Sequence, residues 1–507
     1  MDGKTIGVVG AGIMGRGIVQ LFAQAGHRVL CHDAAPGAAQ GAADYVSGML
    51  DRQVEKGKLN SAKAAEIKAA IVPVPELAGL VSCDVVIEAI VERLDAKRAL
   101  FSALEDVVAD DAILASNTSS LVVAEIAAGS RRPERIAGLH FFNPVPLMKV
   151  AEVIAAVRTA PAAIAALKAL VEHAGHRAVV AADQPGFLVN HAGRGFYTEG
   201  LRLLEERVAG VQAIDTVLRE AAGFRMGPFE LFDLTGIDVS GKVLESIYEQ
   251  FHHEPRYRPS ALIPPRIAAG LYGRKSGEGW YRYGADGKAE TEEPLPAPPL
   301  PSGLSVWVDP AAARVIELCA LVERVGLKLE RNPVTADLLI VQPWGSDAGT
   351  YAAKKGLDAS RLVAVDPLPA FDKHRTLMSS VATTIIARDA ARALLGSDGV
   401  AVTSIQDSPG FIVQRVLATI VNIASEIAQR GIATVADIED AVTLGLGYPR
   451  GPLSWGDRIG AARVLEILSV IHAQTGDPRY RPSPWLRQRA SLGLSLLAPS
   501  ATLEQAA

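Results

Sequence analysis

One histidine, one glutamate and one glycine-rich turn carry the residue types and spacings from which chemistry could be built. His140 ends the apolar run Ile136–Leu139 and precedes Phe141-Phe142-Asn143-Pro144. A histidine that ends a strand of an open α/β sheet faces the crevice where such sheets bind ligands. For the residue alone, a structural histidine is an equal reading. Glu152 follows twelve residues later, inside the strand-like stretch Lys149–Ile154. A carboxylate in an apolar strand is costly to bury without a partner, and an imidazole is the natural one. The pair would form a general base whose tautomer and protonated form are supported by the carboxylate. The competing reading places Glu152 at a solvated sheet edge.

Gly10-Ala11-Gly12-Ile13-Met14-Gly15 follows the apolar run Thr5–Val9 and opens a helical pattern, and Asp33 stands 21 residues beyond Gly12. A GxGxxG alone is weak, but with the strand, the helix and the acid at that distance it is a dinucleotide fingerprint. The glycines let the backbone turn tightly and approach a pyrophosphate at the helix N-terminus. Asp33 would accept from the adenosine ribose hydroxyls. Ala34 and Ala35 follow it, so a 2′-phosphate would meet a negative charge with no cation to offset it. NAD is therefore favoured over NADP.

Two further segments present polar groups. Ser116-Asn117-Thr118-Ser119-Ser120 follows the strand-like Ala112–Ala115, where hydroxyls and an amide would stand at a strand's C-terminal end. Ser119 or Ser120 as the N-cap of a helix running on from Leu121 is the plainer reading, and both roles are compatible. Asn190 follows Pro185-Gly186-Phe187 at the entry to a helical region. Lys56 and Lys58 could meet the phosphates of a large anionic substrate, although two lysines near a helix end are more often solvated charge.

The elements that must position these groups alternate strand and helix over the first 183 residues. Strands are expected at Thr5–Val9, Arg28–Cys31, Asp84–Ile90, Ala112–Ala115, Ile136–Phe142, Val150–Ala155 and Arg177–Ala182. Helical segments separate most of them, which predicts a largely parallel, doubly wound sheet. Helices at Leu188–Arg207, Val211–Ala222 and Val239–Phe251 then predict a separate all-helical domain. Gly284–Pro301, rich in Pro, Ala and Glu, predicts an extended linker. Beyond it the chain repeats itself. DQPGFLVN at Asp183–Asn190 returns as DSPGFIVQ at Asp407–Gln414, Gly227-Pro228 returns as Gly451-Pro452, and PRYRPS at Pro255–Ser260 returns at Pro478–Ser483. The helical domain is duplicated.

Composition sets the outer limits. A net charge of -5 gives no footprint for nucleic acid or an anionic membrane, and no apolar run is long enough to span one. Cys31, Cys83 and Cys319 form neither a disulfide framework nor a zinc pattern. With a strand starting within a few residues of Met1, no signal or transit peptide is expected, and a cytoplasmic protein is the plain reading.

Taken together, GAGIMGRGI, VIEAIVERLDAK, ASNTSSL, GLHFFNPVPLMKVAEV, PGFLVN, MGPFELFDL and GRKSGEGWY resemble the 3-hydroxyacyl-CoA dehydrogenase family, nearly continuously to about residue 283. The resemblance implies NAD-dependent oxidation of an (S)-3-hydroxyacyl-CoA thioester to the 3-ketoacyl-CoA. It implies His140 as base, Glu152 as its partner, and Ser119 and Asn190 as substrate-positioning groups. It also implies cofactor contacts from Asp33, Glu92, Lys97, Asn117, Asn143 and Lys275 beside Gly10, Gly12 and Gly15. The full length looks like the long bacterial form associated with phenylacetate breakdown, which implies 3-hydroxyadipyl-CoA, or else 3-hydroxybutyryl-CoA, as substrate. His191 is a departure, because the family usually carries arginine there. The expected organisation is a Rossmann-type α/β domain (1–184), a helical domain (185–283), a linker (284–303), a degenerate α/β segment (304–405) and a second helical domain (406–507). Asp366 aligns with His140 and Gln414 with Asn190, so the second half is expected to be catalytically empty and to pack against the first as an internal pseudo-dimer. The rival readings are a dehydrogenase of a free hydroxy acid or sugar acid, and a non-catalytic relative that kept the fold.

Overall fold

The computed structural model describes residues 3–293 and 296–500. The chain forms two compact units, one of Met1–His191 with Arg430–Leu446, the other of Ala192–Gln429 with Gly447–Ala507.

The first unit is built on eight strands: β1 (Thr5–Val9), β2 (Arg28–His32), β3 (Ile71–Pro73), β4 (Val85–Glu88), β5 (Ile113–Ser116), β6 (Ile136–Phe141), β7 (Val150–Ala155) and β8 (Arg177–Ala182). Their order in the sheet is β3-β2-β1-β4-β5-β6-β7-β8. All neighbours are parallel except β6 and β7. Six helices connect them: α1 (Ile13–Gln24), α2 (Ala38–Glu55), α3 (Ser61–Ala69), α4 (Leu94–Glu105), α5 (Val123–Ala127) and α6 (Pro161–His173). The strands are apolar on both faces because helices cover both. Ile18, Val19 and Phe22 of α1 join Ile6, Val8 and Leu139 in one core, while Phe101 and Leu104 of α4 join Val86 and Leu114 in the other. The doubly wound sheet thus matches the sequence expectation. β3 escaped it because three residues ending in a proline carry no readable period.

The helical region starts with α7 (Val189–Ala192) and continues through α8 (Arg194–Glu205), α9 (Val211–Glu220), α10 (Pro228–Thr235), α11 (Ile237–Gln250) and α12 (Ile263–Ala268). Of the expected linker, Pro294 and Leu295 lie outside the described residues. Its first part is not an extended spacer. Gly284 N–H donates to Lys288 O and Glu290 N–H to Arg282 O, and the Gln212 side chain bonds the Glu292 backbone twice. Small residues at Gly284 and Gly287 let the chain fold back there before the prolines begin.

The second sheet has six strands, β9 (Ser305–Val308), β10 (Lys328–Leu329), β11 (Leu338–Val341), β12 (Leu362–Val365), β13 (His374–Ser379) and β14 (Ala401–Gln406), in the order β10-β9-β11-β12-β13-β14. Helices α13 (Val315–Arg324), α14 (Ala348–Lys355) and α15 (Ile385–Leu395) accompany it, and α16 (Val413–Gln429), α17 (Val435–Asp440), α18 (Pro452–Ile459), α19 (Ala461–Thr475) and α20 (Pro484–Leu492) form the second helical copy. This sheet repeats the antiparallel step, here between β12 and β13. Asp183 accepts from the Val123 and Ala124 amides at the start of α5, and Asp407 accepts in the same way from Ala348 and Gly349 at the start of α14. The two halves are therefore copies in hydrogen bonding as well as in sequence.

Within the second unit the helical copies pack together. A side chain on Gly195 of α8 would press on Ile420 and Ile423 of α16, so the helices approach closely there. Arg256 pairs with Glu426 at 2.6 Å and donates to Arg481 O. Each copy also supplies a backbone acceptor to the other copy's sheet edge. Ala182 N–H of β8 donates to Ile432 O in the first unit, and Gln406 N–H of β14 donates to Val208 O in the second.

Candidate active site

The antiparallel register of β6 and β7 sets His140 directly opposite Glu152. The Nδ1 of His140 and Oε2 of Glu152 stand 2.6 Å apart, with Glu152 fully buried and His140 nearly so. A carboxylate accepts only, so Nδ1 carries the proton and Nε2 keeps the lone pair that takes one from a substrate. The other oxygen of Glu152 accepts from the Leu188 and Val189 amides at 2.9 and 2.8 Å. Those amides converge because Gly186 and Phe187 both adopt left-handed backbone (φ 73° and 50°) just before α7. Phe187 holds a conformation unusual for a bulky residue, and its ring flanks the imidazole, 5.9 Å centre to centre. The solvated-edge reading of Glu152 is excluded.

The glycine-rich turn divides its roles among three residues. A Cβ on Gly10 would lie 2.5 Å from Ala89 O and one on Gly15 would lie 1.7 Å from Gly10 O, so neither position tolerates a side chain. Gly12, at the N-cap of α1, faces open space, which is the room a pyrophosphate needs at a helix N-terminus. Asp33 accepts from Ala11 N–H (2.7 Å) and Ala35 N–H (2.8 Å), bracing this turn against the end of β2. Each oxygen retains a lone pair for a ribose hydroxyl. These residues fit a dinucleotide.

The Ser116–Ser120 segment is held by a carboxylate rather than by helix capping. Glu92 Oε1 accepts from Thr118 Oγ1 at 2.7 Å and from the Ser119 and Ser120 amides at 2.9 and 3.1 Å. α5 begins only at Val123 and is capped from Asp183, so the expectation that Ser119 or Ser120 caps a helix from Leu121 is corrected. Burial pushes the Glu92 carboxyl up, but Lys97 and the hydrogen bonds from Thr118 and Ser119 outweigh it and hold the group below the ordinary carboxylate range. Lys97 is buried, 2.6 Å from Glu88 and 3.2 Å from Glu92, so it acts on the loop through these carboxylates. Glu88 also accepts from Ser116 Oγ at 2.6 Å. Asn117 accepts from Phe141 N–H at 2.8 Å, tying the loop to β6 beside His140.

The remaining expected residues are placed as follows. Asn143 follows β6, Asn190 lies in α7, and Lys56 is exposed at the C-terminal end of α2. Lys275 belongs to the second unit, where its ammonium pairs with Asp238 at 2.6 Å. His191 is fully buried, and its counterpart in the repeat, Arg415, is buried too, bonded to Glu199 (2.5 Å) and Glu206 (2.7 Å) of α8 and its end. In the second copy this position therefore serves packing. Sequence reasoning did not single out Glu88, Asp183 or Phe187. The only available signals were acidic residues at strand ends and the repeated Asp-x-Pro-Gly-Phe.

At the equivalent positions the second copy carries other residues. Asp366 N–H donates to Thr376 O across β12 and β13, so an aspartate and a threonine face each other where His140 and Glu152 do. Gln414 donates to Asp366 at 2.8 Å and accepts from Gly345 N–H, closing the equivalent position with internal bonds.

Comparison with known proteins gives these arrangements a context. The NAD binding domain of 3-hydroxyacyl-CoA dehydrogenase matches residues 5–184, and the C-terminal domain of that enzyme matches twice, at 186–283 and 410–496. The chain is 36% identical to a 3-hydroxyadipyl-CoA dehydrogenase of Escherichia coli over 96% of this chain and 98% of that one. It is 37% identical to a 3-hydroxybutyryl-CoA dehydrogenase of Bradyrhizobium diazoefficiens over 55% of this chain and 95% of the relative. The crystal structure of an Escherichia coli 3-hydroxybutyryl-CoA dehydrogenase superposes with a TM-score of 0.86 at 35% identity, covering 97% of this chain and 99% of that one. Sequence and fold agree over nearly the full length, duplicated helical domain included: the chain belongs to the 3-hydroxyacyl-CoA dehydrogenase family and is an NAD-dependent oxidoreductase.

Proposed function

We propose that His140 takes the proton from the 3-hydroxyl of (S)-3-hydroxyadipyl-CoA as the alcohol is oxidised to the 3-ketoacyl thioester. The observation that carries the reading is the buried 2.6 Å bond from His140 to a carboxylate whose second oxygen is already tied to two amides. Glu152 so held fixes the tautomer and stabilises the imidazolium formed on proton transfer. NAD, when bound, supplies the hydride acceptor. Ser119 and Asn190 orient the substrate oxygen. Gly10, Gly12, Gly15, Asp33, Asn117 and Asn143 hold the cofactor, with Glu92 and Lys97 fixing the loop that carries Asn117 and Ser119. Lys56 is available to a CoA phosphate.

The six-carbon dicarboxylic acyl chain is supported by a relative of that activity matching 96% of this chain. The paired helical copies are an internal pseudo-dimer, a reading supported by the close approach of α8 and α16. Free cysteines, with the Cys31 and Cys83 thiols pushed up to about 12 mainly by burial, suit a reducing cytoplasm, and among the described residues no helix is long and apolar enough to cross a membrane. Initial rates with NAD on 3-hydroxyadipyl-CoA, 3-hydroxybutyryl-CoA and the matching free acids test the assignment. Preference for the adipyl thioester supports it, preference for the butyryl ester moves it to the shorter chain, and turnover of the free acids alone overturns it.

A further inference from the structure

The second half has Asp366 at the place of His140, yet one of its segments is built into the unit that holds His140. Arg430–Leu446 belongs to one compact unit with Met1–His191. It is fixed along β8 by Ala182 N–H donating to Ile432 O, and by Arg177, which reaches Asp437 at 2.7 Å and Asp440 at 2.8 Å. Its last stretch, Ala441–Gly445, is a π-helical turn. The first repeat has ordinary α-helix over the equivalent Val217–Glu220 at the end of α9, and carries its C-cap residue, Ala221, where Gly445 stands. Single π-turns inside helices are uncommon and concentrate at functional sites.

The turn ends against the residues that hold Glu152. A Cβ on Gly445 would lie 3.0 and 3.1 Å from the two methyls of Val189 and 3.5 Å from Val150. Val189 donates its N–H to Glu152, and Val150 is two residues before Glu152 on β7. Backbone and carboxylate are thus backed by a surface with no side chain to spare.

We infer that the π-turn Ala441–Gly445 is a positioning element of the active site, with Gly445 setting the distance between Val189 and the carboxylate that its amide holds. The second repeat then acts on the reaction without supplying a reacting group. The inference rests on the reading of His140 and Glu152 as the acid–base pair.

The test uses the full-length chain with Gly445→Ala, Val189→Ala/Gly445→Ala, Arg177→Gln and His140→Gln. The added methyl pushes Val189 and its amide away from Glu152, and displacements of this order lower kcat by about ten- to a hundredfold. A carboxylate relieved of one amide donor holds the imidazolium more tightly, so the acid limb of the kcat/KM profile moves up by about half a pH unit. NAD affinity and melting temperature should stay near wild type, since the glycine-rich turn is untouched. Removing the opposing methyls in the double variant should restore kcat and the profile. Arg177→Gln loosens the segment without touching Val189 and should lower kcat in the same direction, by less. Unchanged kcat and pH profile in Gly445→Ala overturns the inference, as does a loss the double variant fails to repair. Should Gly445→Ala not fold, a natively melting Arg177→Gln with wild-type kcat and profile overturns it equally. If His140→Gln retains activity, the acid–base reading itself falls; if only Gly445→Ala is normal, the buttress alone falls.

Discussion

Replacing His140 by glutamine keeps the size of the side chain and removes the nitrogen lone pair, so it separates a base from a packing residue. A general base contributes about a hundred- to ten-thousandfold, and kcat should fall by that much while calorimetry still shows NAD bound. Glu152→Gln should lower kcat as well and move the acid limb of kcat/KM to lower pH, because the imidazolium loses its counter-charge. Asp366, in the matching place of the second copy, offers a contrasting test. Burial pushes its carboxyl up from 3.8 to about 6, against the opposing bonds from Gln414 and Leu368. Its folded value lies above its unfolded one, so the folded state is favoured below about pH 4 and loses stability as pH rises to about 6. Asp366→Asn keeps an acceptor and removes the charge. It should stabilise the protein by as much as ~3 kcal/mol at pH 7.5 and by almost nothing near pH 4, read from urea melts. His140 and Glu152 were legible because strand period and burial cost both point at them. The grip of Glu92 on Ser119 was not, since it joins residues 27 apart in sequence through a loop with no period at all.

Packing elements carry a different kind of information. Arg415 of α16 is fully buried and satisfies Glu199 and Glu206, while Tyr480 donates to Glu199 at 2.6 Å. Arg415→Ala removes the nearer cation of the buried Glu199, leaving it Arg479 at 3.9 Å, and should cost up to about 3 kcal/mol in chemical denaturation. Arg415→Met with Glu199→Leu should recover most of it, because replacing both charges by apolar groups removes the desolvation cost as well. If the single variant melts like wild type, this cluster does not hold the copies together. The repeat was legible because DQPGF, Gly-Pro and PRYRPS return in register. The reciprocal hydrogen bonds of Ala182 to Ile432 and of Gln406 to Val208 were not, because a repeat in sequence does not say whose sheet its helices will cover. The π-turn was hidden because nothing in the sequence Ala441-Val442-Thr443-Leu444-Gly445 distinguishes a π-turn from an ordinary α-helical turn.

At the scale of the whole chain, compact units and halves do not coincide. Each unit contains residues from before and after the Gly284–Pro301 segment, the first taking Arg430–Leu446 and the second taking everything from Ala192 to Gln429. A protease site placed beside Pro294 in the folded protein, once cut, should therefore not release the halves. They remain joined by β8 and Ile432 in one unit and by α8 and α16 in the other. Gel filtration of the cut protein should show one species of undiminished size, and mild denaturant should separate two fragments whose separation abolishes turnover. The same chain should bind one NAD. Gly10, Gly12 and Gly15 make the only GxGxxG followed by a helix and an acid at the end of the next strand, whereas β9 leads to Asp309-Pro310 and a helix whose N-cap is Arg314. Pro310 has no N–H, and the amides of Ala311, Ala312 and Arg314 are already bonded to Asp309 and Gln342, which leaves no row of free amides for a pyrophosphate. Titration calorimetry on intact chain should give a stoichiometry near one, unchanged by cutting. Two NAD per chain, or halves that part on cutting while the first alone keeps full kcat, would show that the second half is neither degenerate nor needed.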